Sequence, residues 1–125
     1  MLGVARNFFT LAIIFAICGM MLGLHMSITE DHSQAPVHAH LTVAGWLMSG
    51  FFAFFYHFFG EVRDTMLARV HFWLHAVTLI GLTVSLYILL GGNTGIAPVT
   101  AASSIGFFAS VLLFAAISLP VVWRR

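Results

Sequence analysis

Four long apolar stretches, parted by short polar breaks, dominate this sequence. An apolar run of about 20 residues matches the hydrocarbon thickness of a bilayer. The expected spans cover about residues 8–26, 37–59, 67–90 and 96–123. Runs of this length are too long for barrel strands, and in lipid a helix satisfies its own backbone polar groups. The breaks carry turn chemistry. Thr29-Glu30-Asp31-His32-Ser33-Gln34 leads to Pro36, which suits the first turn of a helix. Residues 61–69 form a charged connector, and Gly91-Gly92-Asn93-Thr94-Gly95 is a turn cluster. Connectors this short make consecutive helices antiparallel neighbours. The expected fold is all-α membrane: a single domain over residues 1–125 with four transmembrane helices, up-down antiparallel.

Composition agrees. Hydrophobic residues make up 61% of the chain and charged residues 7%, whereas a soluble domain carries about a quarter charged. The mean hydropathy is +1.03. There is no basic stripe, which excludes nucleic acid as a partner. Cys18 is the single cysteine, so an intrachain disulfide is excluded, and without a CxxCH motif so is covalent c-type haem. Non-covalent haem stays open. Arg6 followed by residues 8–24 imitates a signal peptide, but the run is long and residues 27–34 offer no small-x-small cleavage pattern. It is expected to be a retained helix. The five basic residues, Arg6, Arg63, Arg69, Arg124 and Arg125, fall on one side of a four-span arrangement. The positive-inside rule then puts both termini and the second connector in the cytoplasm, in a multi-pass protein of the cell inner (plasma) membrane. No internal repeat at a fixed period is evident.

Seven histidines are unusual in such a chain, because an imidazole without a partner is costly in lipid. By depth they form two groups. His25, His32, His38 and His40 lie toward the outer face, and His57, His71 and His75 toward the cytoplasmic face. From His40 to His57 is roughly 25 Å of helix, so the groups cannot share a metal. Residues i and i+2 sit about 200° apart on a helix, so His38 and His40 point to nearly opposite sides. Such geometry suits a ring of identical subunits, with a haem between neighbours held by His38 of one and His40 of the next. The alternative is that both rings are interfacial residues bonded to headgroups or helix ends. His71 and His75 share a helix face at i and i+4. With His57 across the connector they make a candidate second site for copper, zinc or a further haem, or else a hydrogen-bonded polar cluster that fixes helix contacts. His25 and His32 read as solvated loop and loop-edge residues. Gly45, Ser49 and Ala53, spaced by four, would let a neighbouring helix or a flat macrocycle approach. Trp46, Trp73 and Trp123 read as interfacial anchors or packing residues.

The segment His38-Ala-His-Leu-Thr-Val-Ala-Gly-Trp-Leu-Met-Ser-Gly-Phe-Phe-Ala-Phe-Phe-Tyr56 resembles the haem-ligand helices of subunit I of the haem–copper oxidases and the related nitric oxide reductases. Arg69-Val-His-Phe-Trp-Leu74 resembles the opening of that family's third helix. The resemblance covers the second and third spans and points to a small, oxidase subunit I-like, four-helix relative. Because the family's twelve helices form three four-helix arcs, it implies a homotrimer. It also implies haem b bound non-covalently by His38 and His40 of neighbouring subunits, the pairing that the angular offset suggests independently. The chain departs from the family in two ways. It has no His-His pair for the oxidase copper, and residues 91–95 contain no arginine for haem propionates. Oxygen or nitric oxide reduction is therefore not expected. A bis-histidine iron is six-coordinate, and its ordinary use is one-electron transfer. The expected function is a membrane b-type cytochrome exchanging electrons with a respiratory donor or acceptor. The alternatives are a copper- or zinc-binding membrane protein and an accessory subunit of a respiratory complex.

Overall fold

The computed structural model describes residues 1–124; Arg125, one of the five arginines used for orientation, lies outside the described residues. Every regular element among the described residues is helical. Helix α1 is Gly3–Thr29, α2 is Ala35–Phe58, α3 is Met66–Leu90 and α4 is Ala97–Trp123, the last entered through a 3-10 turn at Thr94–Ile96. A short helical turn, Gly60–Arg63, lies between α2 and α3. All four long helices are long and apolar enough to cross a membrane. They run from five residues before to three residues after the expected apolar limits at α1 (Gly3 against 8, Thr29 against 26). Helical backbone continues past the apolar run because polar side chains such as Asn7 and Thr29 are compatible with a helix end.

The ends follow from local chemistry. Pro36 and Pro98 sit in the first turns of α2 and α4, where the missing N–H costs no helical bond. Thr65 caps α3, its Oγ1 accepting from the Ala68 amide at 3.2 Å. The start of α1 seats on the connector before α3. There Gly3 has φ 54°, and a Cβ at this position would collide with the Asp64 carboxylate. Asp64 thus stands beside the positive end of α1 and also pairs with Arg63 at 2.8 Å. The Arg63 guanidinium holds the Asp64 carboxyl below the ordinary carboxylate range.

Two hairpins make the bundle, α1 with α2 and α3 with α4. Small residues bring the helices within each hairpin together, since close packing rather than water exclusion holds helices in apolar surroundings. A Cβ at Gly19 would lie 2.8 Å from the Thr42 methyl, and one at Gly45 would lie 2.5 Å from the Phe15 ring. In the second hairpin a Cβ at Gly106 would meet the Thr78 methyl at 2.5 Å. Aromatic rings join the hairpins. Phe8 of α1 meets Phe72 of α3 at 5.1 Å between ring centroids, and Phe52 of α2 meets Phe114 of α4 at 4.4 Å. Ala53, Tyr56 and Ala68 complete a buried core around them. The outward face carries Ile17, Met21, Val77, Phe108 and Leu112.

One departure from regular helix bears on the site. From His40 to Met48, α2 is π-helical, with α-helical Ala35–Ala39 before it and Ser49–Phe58 after it. Wide turns of this type are rare and recur where a helix must re-aim side chains.

Candidate functional site

The two histidines of the His-x-His motif stand at the junction between the first α-turn of α2 and its π segment. Their rings have different neighbours. The His38 ring turns to α1, with Nδ1 2.8 Å from the Gly19 carbonyl oxygen. Its imidazole lies over Gly23, where a Cβ would come within 2.9 Å of Cε1. The His40 ring turns back along α2, with Nδ1 2.7 Å from the Pro36 carbonyl oxygen. It lines an open apolar depression of about 400 Å³ with Val43, Ala44, Met48 and, from α4, Phe107.

Both contacts have the same chemical consequence. A carbonyl oxygen can only accept, so in each neutral ring Nδ1 carries the proton and donates. Nε2 then keeps its lone pair. Metal-ligating histidines nearly always donate their other ring N–H to a carbonyl or carboxylate, which fixes tautomer and orientation. His38 and His40 therefore each present an Nε2 in the form that a metal needs, on two sides of one helix.

The deeper histidines behave differently. His71 and His75 of α3 are fully buried, with ring centroids 6.1 Å apart. Tyr56 Oη lies 3.0 Å from His71 Nδ1, and Ser49 Oγ lies 3.0 Å from His75 Nε2. These bonds cross from α2 to α3. The antiparallel order pairs the later α2 residue with the earlier α3 residue, and the long tyrosine and short serine absorb the mismatch in spacing. Phe8 and Phe52 pack against both imidazoles, at 4.7 to 5.6 Å between centroids. The remaining nitrogens, His71 Nε2 and His75 Nδ1, are buried without a hydrogen-bond partner.

His57 does not join this pair. It is exposed near the end of α2 and packs on Phe58 at 5.4 Å. Among the described residues no group of three His, Cys, Asp or Glu side chains is placed to hold a metal ion. His25 is exposed on the last turns of α1, and His32 is exposed in the loop, with Nδ1 3.3 Å from the Glu30 carbonyl oxygen. Trp46, Trp73 and Trp123 are all exposed.

From sequence, Ser49 reads as a small residue and Tyr56 as part of an aromatic-rich segment; that they are the partners of His75 and His71 is seen only in the structure. The available signal was their spacing of seven, two helical turns, opposite an i, i+4 histidine pair on the antiparallel neighbour.

No family model, curated protein or solved structure matches this chain.

Proposed function

We propose that the chain is a multi-pass membrane protein that binds b-type haem, which the imidazoles of His38 of one subunit and His40 of a neighbouring subunit would hold. The observation that carries this reading is the matched pinning of the two Nδ1 atoms on the Gly19 and Pro36 carbonyls, which leaves both Nε2 lone pairs free. The residues present fit the group. Gly23 makes room for the His38 ring, and the depression beside His40 is almost wholly apolar in its lining. Rings directed to two sides of α2 favour a ligand shared between subunits over one enclosed within a chain, and a homotrimer is the simplest closed form of that sharing.

Bound haem would supply a one-electron couple. The protein's part is to fix both imidazoles in one tautomer, exclude water with apolar walls and leave no third ligand. The positive-inside rule, applied to Arg6, Arg63, Arg69, Arg124 and Arg125, supports an orientation with both termini on the cytoplasmic side of the plasma membrane. A respiratory electron donor or acceptor is the partner that this reading expects.

The deciding experiment is a visible spectrum of protein purified from haem-replete membranes, oxidised and reduced, with haem counted per chain. A reduced α-band that is lost in both His38→Ala and His40→Ala is the expected result. A colourless, folded protein would sink the proposal, and recovery only within a larger respiratory assembly would favour an accessory role.

A second reading has one observation behind it. The unpartnered His71 Nε2 and His75 Nδ1 offer two nitrogen donors in an apolar shell. Two imidazoles suit copper(I) better than zinc, which takes four ligands in closed sites. Elemental analysis finding copper that disappears in His71→Phe supports this reading; absence of copper from copper-replete preparations removes it.

A further inference from the structure

On the side of the bundle away from His40, three depressions meet between α1 and α3. A polar one of about 310 Å³ is lined by Asn7, Arg63, Asp64 and Arg69. From it, an apolar groove of about 360 Å³ runs along α1 past Leu11 and Ile14, walled by Phe72 and Trp73. A second groove, about 600 Å³, follows α3 from Arg69 past Trp73 to Val77. Asn7, Arg69 and Trp73 are each shared by two of the three, so the depressions form one forked feature with a polar head and two apolar branches.

The head has a definite charge balance. Arg63 donates to Asp64 through both Nε and Nη2, at 3.1 and 2.8 Å. The Asp64 carboxylate also lies against Gly3 at the start of α1, where a Cβ would meet it. Arg69 makes no ion pair among the described residues, and the Asn7 side chain has no hydrogen-bond partner there either. Two arginines against one aspartate leave a net charge of +1, carried by the unpaired Arg69 next to a free amide. Charged heads and apolar branches are the two halves of an amphiphile.

We infer that this forked groove is a binding site for an anionic phospholipid of the leaflet facing the arginine-bearing end of the bundle. The phosphate sits at Arg69 and Asn7, and the two acyl chains lie along the α1 and α3 branches. Basic pockets between transmembrane helices bind anionic head groups in this way. A zwitterionic lipid would bring its own cation into a head that already carries excess positive charge, which is why the occupant is anionic. The site is separate from the histidines of α2, so it does not depend on haem being bound.

The test uses the full chain, delipidated in detergent and titrated with phosphatidylglycerol or phosphatidylcholine of the same acyl composition, with bound lipid counted by native mass spectrometry. Retention of phosphatidylglycerol over phosphatidylcholine by about five-fold is expected from one net arginine charge near the surface. Arg69→Gln should bring the two lipids level, and Arg69→Lys should restore most of the preference. Circular dichroism of each variant reports whether it folds. Asn7→Leu, which keeps every charge, serves as a second variant that should weaken retention of both lipids while leaving the preference for phosphatidylglycerol in place. Equal binding of the two lipids to the unaltered chain would overturn the inference, as would an undiminished preference in folded Arg69→Gln.

Discussion

His38 of α2 stands directly over Gly23 of α1: a Cβ at position 23 would lie 2.9 Å from the imidazole Cε1 and 3.3 Å from Nδ1. The same ring donates to Gly19, one turn earlier on α1, at 2.8 Å. Two glycines spaced by four thus form the seat of the first proposed ligand. Helix α1, which carries no part of the ligand motif, decides how that ligand is held.

Gly23→Ala tests the seat. Alanine is the better helix former by about 1 kcal/mol, so α1 itself should gain or hold its stability. The new methyl must nevertheless push the His38 ring outward. Haem retained per chain, measured as its pyridine haemochrome, should fall while the far-ultraviolet dichroism stays constant. Unchanged haem content would separate the Gly23 contact from ligation.

Gly45→Ala should behave in the opposite way. Its Cβ would meet three atoms of the Phe15 side chain at 2.5 to 2.6 Å. Overpacking of this kind costs about 1–3 kcal/mol and outweighs the propensity gain. Unfolding in sodium dodecyl sulfate should shift to lower detergent fraction, and the additional Phe15→Leu change should recover part of the loss.

Tyr56→Phe removes the partner of His71 Nδ1, leaving an imidazole at 0% exposure with neither nitrogen bonded. Interhelical hydrogen bonds within a bilayer average about 0.6 kcal/mol and reach about 1.7. A loss of roughly 1 kcal/mol is expected, measured by reversible unfolding in mixed micelles. In a double-mutant cycle with His71→Phe, the coupling should account for most of that loss. Strict additivity of the two changes would show that the contact contributes nothing.

His57→Ala should be nearly silent. The ring is exposed and packs on Phe58. Stability should change by no more than about 0.5 kcal/mol, and bound haem or copper should be unaltered. Loss of metal from this variant would reinstate His57 as a ligand.

The existence of four helices was legible because each apolar run is long enough to dictate its own structure. Glycine, proline and charge marked the breaks. Helix α1 extends beyond its apolar limits, and its start at Gly3 seats against Asp64, which lies sixty-one positions later and is invisible to local reading. The π-helical stretch His40–Met48 was equally hidden, since its residues satisfy an ordinary apolar helix pattern. The sequence grouped His57 with His71 and His75 by depth. Depth along a helix is set by residue number, but azimuth relative to a neighbour is not, and azimuth turns His57 outward while the other two turn inward.

The sequence by itself determined the four apolar helices, their alternating order and the adjacency of His38 and His40, because hydrophobic length and backbone spacing are local properties. Tertiary packing decided which nitrogen of the His38, His71 and His75 imidazoles is committed. Gly19 and Pro36 fix Nδ1 of His38 and His40, whereas Tyr56 and Ser49 engage His71 and His75 from across the hairpin. The physical reason is that a hydrogen bond requires a partner within about 3 Å in a given direction. For His38, His71 and His75, that partner belongs to another helix.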